Sequence, residues 1–307
     1  MRVIFCASPL NNLLPDFMYE QEVEAAVKVN FDLSVINFEA LVDEGDIARS
    51  LRRVTPADEA ETAIYRGWMM KPDVYEQLYH GLAERNILLI NTPAAYRHCH
   101  YFPESYPVIE GHTPRSVWMK VNGEVSIDAI MELLRPFDNK PVILKDYVKS
   151  RKHEWTEACF IPSAADRQAV ERVVSNFLKL QGDDLNEGLV FREFVEFEPL
   201  GFHPASNMPL TTEYRLFYLD GKLIASAPYW DEDDYKEADK PPVKRFNEIA
   251  KHVQSRFFTM DVAQRKDGNW MIMELGDGQV AGLPERVNVR KFYQQIAIIL
   301  NQAMKKG

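Results

Sequence analysis

The chain has 307 residues, of which 46% are hydrophobic and 27% charged, and its net charge is −10 at neutral pH. This composition is typical of a globular protein, and the length predicts about two domains or one large one. No stretch approaches the roughly 20 apolar residues needed to cross a bilayer, so no membrane association is expected. The acidic balance argues against broad nucleic-acid binding.

The three cysteines, Cys6, Cys99 and Cys159, are odd in number and widely spaced. This pattern argues against a disulfide framework and against a zinc site, and it predicts a cytoplasmic protein. The apolar start of the chain breaks at Ser8-Pro9, which is too early for a signal peptide. We therefore interpret it as a first strand.

Strand and helix patterns alternate over the first hundred residues. The predicted strands are Val3–Cys6, Leu33–Phe38, Ala63–Tyr65 and Ile87–Ile90, and the predicted helices are Glu20–Val27 and a segment through Arg85 capped by Asp73. This alternation predicts a parallel, Rossmann-like α/β layer. No GxGxxG follows the first strand, so a dinucleotide site is not indicated. Residues 94–116 have little regular pattern, and we predict a domain boundary near residue 115.

The remainder contains further strands and helices. Predicted strands are Pro141–Val148, Glu157–Ile161, Leu189–Val195, and Thr212–Leu219 with Lys222–Pro228 joined at Asp220-Gly221; predicted helices are Ile127–Leu134, Ala164–Leu180 with a Ser163 cap, Val243–Gln254 and Val289–Ala303. The acidic run at 231–234 is expected to be a solvated loop.

A predicted hairpin near the end of the chain is the most informative segment. Phe257–Ala263 and Trp270–Gly278 form two apolar strands around an Asp-Gly-Asn turn, and each carries one carboxylate, Asp261 and Glu274. Two carboxylates held close together repel unless a proton or cation lies between them. Mg²⁺ is suited to such a site, because it takes one or two carboxylates together with substrate phosphates. The alternative is a hairpin with both acids facing solvent.

Basic residues cluster at the end of the 141–148 strand. Lys145 is placed to contact a phosphate as a point charge, although a lysine there could also extend to solvent. Lys149, Arg151 and Lys152 follow in a short basic turn. Such a loop can cover polyphosphate and exclude water, and the alternative is a solvated hairpin tip.

Two other strands are candidates for nucleotide contacts. Glu193, Phe194 and Val195 end a strand before a Pro-Leu-Gly break, where backbone groups could read adenine while an apolar side chain packs on its face. Glu213 and Arg215 alternate on one strand, so they share a face. Glu213 could accept from ribose hydroxyls and Arg215 could hold an oxyanion; the alternative is an ordinary surface pair.

The order of these parts resembles the ATP-grasp family, and most of all its R2K-type branch, over roughly residues 116–300. The preceding domain resembles the pre-ATP-grasp domain. The resemblance implies an α/β (α+β) architecture with domain 1–115 followed by two lobes, 116–195 and 196–307, that enclose ATP. It implies that Lys145 contacts phosphate, that residues 149–153 cover the phosphates, and that Asp261 and Glu274 bind Mg²⁺. Glu193, Phe194 and Val195 correspond to the adenine hinge, and Glu213 to the acid near ribose.

The sequence departs from the family pattern in two places. The metal strand commonly reads Glu-x-Asn, whereas here it is Glu274-Leu275-Gly276 followed by Asp277, so either Asp277 or water replaces the amide. The loop at 149–153 is basic where many members have glycines.

The resemblance implies an ATP- and Mg²⁺-dependent ligase that joins a carboxylate to an amine through an acylphosphate and releases ADP. Arg215, Lys149 and Arg151 would neutralise developing charge. The alternatives are a kinase of a small molecule or peptide and a non-catalytic nucleotide-binding protein. Expected partners are small-molecule or peptide carboxylates and amines, with Arg66 and residues 279–284 on the acceptor side. The oligomeric state stays open, with a homodimer as one option.

Overall fold

The computed structural model describes residues 1–202, 209–230, 235 and 240–304. The acidic run at 231–234 lies outside them. The elements form three main sheets and a two-stranded ribbon.

The N-terminal sheet is built from parallel strands. Its strands are β1 (Arg2–Ser8), β2 (Asn11–Pro15), β3 (Asp32–Ile36), β4 (Glu61–Arg66) and β5 (Ile87–Leu89); the helices around it are α1 (Glu20–Lys28), α2 (Phe38–Val42), α3 (Ile47–Ser50), α4 (Pro72–Ala83), α5 (Pro93–His100) and α6 (Phe102–Ile109). β1 runs parallel to β3 and β4, β4 runs parallel to β5, and β2 returns antiparallel to the end of β1. The predicted parallel layer is present.

Two details of this region differ from prediction. Residues 94–116, predicted to be irregular, contain most of α5 and all of α6. Thr92 caps α5 by accepting from the amide of Ala95, and Pro93 occupies the first turn, where its missing N–H costs nothing. The N-cap of α4 is Lys71 and not Asp73, which lies in the first turn.

The second sheet has the order β6-β9-β7-β8. Its elements are β6 (Ser116–Lys120), α7 (Ile127–Leu134), β7 (Val142–Asp146), β8 (Phe160–Ile161), α8 (Arg167–Gln181) and β9 (Gly188–Glu193). The predicted strand at 157–161 is wrong over most of its length, because helical turns occupy Lys152–Glu154 and Trp155–Cys159. α8 begins later than predicted, since Asp166 and not Ser163 caps it by accepting from Ala169.

The third sheet is antiparallel, with the order β13-β12-β14-β15. Its elements are β12 (Glu213–Leu219), β13 (Lys222–Pro228), α9 (Val243–Ala250), β14 (Phe257–Gln264), β15 (Trp270–Asp277) and α10 (Val289–Met304); β10 (Pro199–Phe202) and β11 (Pro209–Thr211) form the ribbon. Both predicted turns are present. Asp220 and Gly221 adopt φ of 48° and 71°, and Gly268 has a φ of 81°. Two successive positive φ values match the twist of a two-residue hairpin.

The hydrophobic core continues across the predicted boundary near residue 115. Val3 and Phe5 of β1 belong to one buried cluster with Phe217, Phe257 and Phe292. Within the described ranges, no helix has the length and apolarity required to span a membrane. The first and third sheets therefore share part of their hydrophobic core.

Candidate active site

The two predicted metal acids lie directly opposite each other. In the antiparallel register of β14 and β15, Asp261 faces Glu274, and Arg215 on β12 faces Asp261 from the other side. Side chains opposite each other on one face of an antiparallel pair are close enough to interact. The sheet thus brings together Arg215, Asp261 and Glu274 from three neighbouring strands, and Glu274 reaches this position through a register shift between Asp261 and Val262.

Arg215 holds Asp261 in a bidentate ion pair. Its Nε and Nη2 donate to the two carboxylate oxygens at 2.8 and 2.7 Å, and its Nη1 donates to the carbonyl of Gly282 at 3.1 Å. The guanidinium also lies 4.7 Å from the ring centre of Tyr229. Burial lowers the pKa of Arg215, but the charge of Asp261 outweighs this and raises it overall, so the arginine stays cationic.

Lys145 points toward the acids from the opposite lobe. Its Nζ lies 3.5 Å from Glu274 Oε2, and the residue is only 6% exposed. Burial within the cleft favours the uncharged form of Glu274, yet Lys145, Lys152 and Arg215 together lower its pKa. Glu274 is therefore an anion at neutral pH and keeps 45% of its side chain accessible to the cleft.

Arg192 is a cleft residue that the sequence did not reveal. It lies on β9, is buried, and packs its guanidinium 5.1 Å from the ring centre of Phe102, while Lys145 Nζ lies 5.7 Å from the same centre. It donates to Thr113 Oγ1, and its Nε has no hydrogen-bond partner among the described residues. Burial lowers its pKa to about 10, which leaves it charged. Arg192 lies two residues from Val190, and Val190 pairs with Lys145. Alternation along the paired strands therefore puts Arg192 and Lys145 on the same face of the sheet.

The basic loop is organised by an aspartate that ends β7. The Oδ1 of Asp146 accepts from the amide of Val148 at 2.7 Å, while its Oδ2 accepts from Gln181 and Asn186, both at 2.8 Å. Lys149 and Lys152 line the cleft.

Arg151 does not share this orientation. Its Nη2 donates to the carbonyl of Leu180 at the end of α8, outside the cleft lining. The predicted catalytic role of Arg151 is therefore corrected: the side chain anchors the loop to the first lobe.

The predicted adenine hinge is only partly at the cleft. Glu193 and Val195 line it, and Glu193 pairs with Lys140 at 2.7 Å. Phe194 points elsewhere, against Phe160 with ring centres 5.2 Å apart, so its predicted packing on adenine is not supported. The amide of Glu193 donates to the carbonyl of Arg115, and the amide of Phe194 donates to the carbonyl of Pro141. Of the three predicted hinge residues, Glu193 and Val195 line the cleft and Phe194 does not.

Glu213 lies beside the acid pair on the same sheet. It is buried, and desolvation raises its pKa to about 7; Lys152 opposes this, while Asp261 and Glu274 add to it. A cation among these acids would favour their ionised forms.

Asp277 is not part of the acid pair. It is three residues from Glu274 in β15 and pairs with Phe258, which places it on the opposite face from Glu274 and Asp261. Its Oδ2 accepts from Asn91 Nδ2 at 2.6 Å, and its Oδ1 accepts from the amide and side chain of Gln279 at 2.9 and 3.3 Å. Asp277 borders the cleft, but it is 1% exposed and both of its carboxylate oxygens accept hydrogen bonds from Asn91 and Gln279, so the predicted metal ligand is corrected to a structural residue.

Arg66 is likewise structural where an acceptor contact was predicted. Its guanidinium is 1% exposed and pairs with Glu22 at 2.7 and 2.9 Å. It also donates to the carbonyls of Gly278 and Ala281 at 2.6 and 2.8 Å. The loop that it holds, residues 278–282, contributes to the cleft wall.

The cleft has a volume of about 480 Å³, in the range of ligand sites, and it is lined by the second and third sheets together with loop and helix residues of the N-terminal domain. The N-terminal side supplies Met69, Cys99 and His100. Burial is the main cause that lowers the pKa of His100 to about 4, so this imidazole is neutral at pH 7.

The residues present fit Mg²⁺ bound together with phosphate. Asp261 and Glu274 supply carboxylate oxygens, the ligand type that Mg²⁺ prefers. No group of three or more acidic, histidine or cysteine side chains suited to a metal occurs in the part of the chain that the structure describes. A shared site completed by phosphate and water matches such a two-acid set better than a closed protein cage.

The fold and the cleft together define a two-lobed nucleotide-binding enzyme class, the ATP-grasp proteins. Residues 136–296 match the family model "ATP-grasp domain, R2K clade family 3", which spans just over half of the chain, and the chain belongs to this family. No curated protein sequence matches it.

Solved structures share the whole fold. D-cycloserine synthetase DcsG is 13% identical with a TM-score of 0.60, covering 98% of this chain and 100% of that one. ATP-grasp ligase PsnB, complexed with minimal precursor, Mg and ADP, is 13% identical with a TM-score of 0.54, covering 98% of each chain. D-alanine–D-alanine ligase from Bacillus anthracis is 12% identical with a TM-score of 0.56, covering 99% and 97%. At these identities the likeness shows the ATP-grasp fold.

Proposed function

We propose that the chain is an ATP- and Mg²⁺-dependent ligase that joins a carboxylate to an amine or another nucleophile and releases ADP and phosphate. The observation that carries this is the pairing of Asp261 with Glu274 on one lobe, facing the buried ammonium of Lys145 on the other. The similarity of the fold to three proteins named as ligases or a synthetase supports the reaction class.

The residues of the cleft would act mainly through position and charge. Asp261 and Glu274 would hold Mg²⁺, which would supply charge neutralisation at the phosphates. Lys145, Lys149 and Lys152 would neutralise the triphosphate from the first lobe, and Arg192 would add a second buried cation beside Lys145. Val195 would pack on the base and Glu213 would accept from the ribose.

The proposed reaction consists of two displacement steps. An oxygen of the substrate carboxylate forms a bond to the γ-phosphorus while the bond to the bridging oxygen of ADP breaks, giving an acylphosphate. The amine nitrogen then bonds to the acyl carbon, the carbon–oxygen bond to phosphate breaks, and the nitrogen loses a proton. Arg215, which pairs with Asp261, would stabilise the oxyanion of this second step.

The carboxylate and amine would enter from the side formed by Met69 and residues 280–282, where the N-terminal sheet meets the second lobe. We infer small molecules or peptides as substrates, since proteins of this fold include one complexed with a precursor peptide and one named for D-alanine. The free, buried cysteines are compatible with the cytoplasmic location predicted from the sequence.

The test is a screen of amino acids, peptides and polyamines for stimulation of ADP release, with product masses determined. We expect ADP, phosphate and a condensed product, all lost in Glu274→Gln. AMP with pyrophosphate as the only nucleotide products would contradict the proposal. A phosphorylated, uncondensed product would assign the site to a kinase, and ATP binding without acceptor-stimulated turnover would assign it to a non-catalytic protein.

A further inference from the structure

The N-terminal domain fastens the open end of the hairpin that carries the two acids. One side-chain amide does this: Asn91 accepts from the amide of Phe257 at 3.0 Å and donates to its carbonyl at 2.6 Å. The same amide donates to Asp277 Oδ2 at 2.6 Å. Phe257 begins β14 and Asp277 ends β15, so Asn91, which follows β5, contacts both acid-bearing strands at the end of the hairpin opposite its turn.

The loop after β15 is fastened at a second point. Arg66 at the end of β4 donates to the carbonyls of Gly278 and Ala281, and Glu22 of α1 holds Arg66 in place. Glu22 in turn accepts from the hydroxyl of Tyr293 on α10 at 2.9 Å. The side chains of Glu22, Arg66 and Tyr293 are buried, and none of the three lines the cleft.

The loop transmits this position to the acid pair through a backbone carbonyl. Gly282 O accepts from Arg215 Nη1 at 3.1 Å, and Arg215 Nε and Nη2 donate to Asp261. A continuous path of contacts thus runs from Glu22 and Arg66 through residues 278–282 to Arg215 and Asp261. Gly278 permits the close approach, because an added Cβ would lie 2.8 Å from the ring of Phe257.

We propose that Glu22, Arg66 and Asn91 are positioning residues for the Mg²⁺-nucleotide site: they hold the post-hairpin loop so that Arg215 presents Asp261 beside Glu274. This deepens the proposed function and rests on it. Residues that orient metal ligands from outside the first layer typically change metal affinity or activity by about 10–100-fold when altered.

The experiment measures how much Mg²⁺ increases the affinity for ADP, by calorimetry in Mg²⁺ and in EDTA, well below the melting temperature. In Glu22→Gln and Arg66→Lys we expect the gain from Mg²⁺ to fall by about tenfold or more. The affinity for ADP in EDTA depends on the lysines of the first lobe, which these substitutions do not touch. It should therefore stay within about threefold of the value for the unaltered protein. Hydrogen exchange at residues 278–282 should become faster.

A matched control separates positioning from general destabilisation. Leu41→Ala removes a buried side chain of α2, which packs on α3 and α4. It should lower the melting temperature and leave the gain from Mg²⁺ unchanged. Tyr293→Phe removes only one hydrogen bond to Glu22 and should give a smaller loss in the same direction if the stronger variants fail to fold.

The outcomes separate the two proposals. If the unaltered protein binds ADP no better with Mg²⁺, the proposed function itself fails. If it does, and Glu22→Gln, Arg66→Lys and Tyr293→Phe all retain the full gain, only the positioning role is overturned.

Discussion

Asp261 and Glu274 are paired across two strands but have different surroundings. Asp261 is 2% exposed and fixed by two hydrogen bonds from Arg215, whereas Glu274 is partly accessible and has Lys145 as its ion-pair partner at 3.5 Å. Removing a charge from a buried, hydrogen-bonded pair costs far more stability than removing one from a partly accessible pair. The two acids should therefore respond differently to the same substitution.

Glu274→Gln should abolish most Mg²⁺-dependent nucleotide binding while changing the free energy of unfolding by no more than about 1 kcal/mol. Asp261→Asn should abolish most Mg²⁺-dependent nucleotide binding and also lower the free energy of unfolding by about 3–5 kcal/mol, because Arg215 would be left buried without its counter-ion. Nucleotide calorimetry and urea denaturation of both variants test this. Equal stability losses would show that Glu274 is a structural acid.

Asp277 gives a prediction about pH. Burial raises its pKa from 3.8 to about 6, and hydrogen bonds from Gln279 and Asn91 oppose this only in part. Because the folded pKa lies above the unfolded one, the unfolded chain loses this proton first as pH rises. Asp277 therefore lowers stability progressively between about pH 4 and 6, by roughly 3 kcal/mol in total, and its effect is constant above that.

The difference between the unaltered protein and Asp277→Asn isolates this contribution. The variant should lack the fall in unfolding free energy between pH 4 and 6 that Asp277 causes, measured by urea denaturation at a series of pH values. Parallel pH dependences of the two proteins would contradict the assignment.

Sequence alternation predicted side-chain placement where strands are regular. It placed Glu213 and Arg215 on one face, and Arg215 lies directly opposite Asp261 in the structure. The position of Glu274 did not follow from alternation, because the register shifts between Asp261 and Val262, so that Glu274 and not Met273 lies opposite Asp261. The same rule would have placed Asp277, an odd number of residues from Glu274, on the other face. Arg151 was beyond such reasoning, since a loop has no periodicity, and its orientation depends on a carbonyl of α8.

At the scale of elements, the segment from Asp146 to Glu154 contains three basic side chains with different orientations. Lys149 and Lys152 line the cleft, whereas Arg151 donates to a carbonyl of α8. Lys149→Ala and Lys152→Ala should weaken ATP binding and reduce its dependence on salt, since each removes a charge near the phosphates. Arg151→Ala removes the same charge from the same loop and should have a smaller effect on both. Titrations at two ionic strengths measure this, and equal effects of all three would contradict the assigned orientations.

Elements with strong apolar periodicity were predictable from the sequence, whereas short helices without it were not. The hairpin of β14 and β15 and the helix α8 follow from their hydrophobic patterns. Helices α5 and α6 were missed because they are short and rich in aromatic residues, histidine and proline, and they are fixed by tertiary packing. Phe102 of α6 shows why this matters, because it packs against Lys145 and Arg192 at the cleft.

At the scale of the whole molecule, the boundary near residue 115 divides the sequence but not the core. Phe102, Tyr106 and Ile109 belong to one buried cluster with side chains of β12 and β14. Val3 and Phe5 similarly share a cluster with residues of the second lobe. The N-terminal domain also supplies Asn91 to the buried Asp277. The proposed domains are therefore expected to fold as one unit.

A chain containing only residues 116–307 should lack a cooperative thermal transition, whereas the full chain should show a single one. Each large apolar side chain that loses its cover forfeits about 1.5–3 kcal/mol, and a typical domain is stable by only about 5–15 kcal/mol. Exposing the apolar surfaces now covered by Phe5, Phe102 and Ile109 would alone remove most of that free energy of unfolding. Calorimetry and near-ultraviolet circular dichroism of the two chains test this. A cooperative transition of the shorter chain would show that the second half folds independently, and the N-terminal domain would then be free to move relative to the cleft.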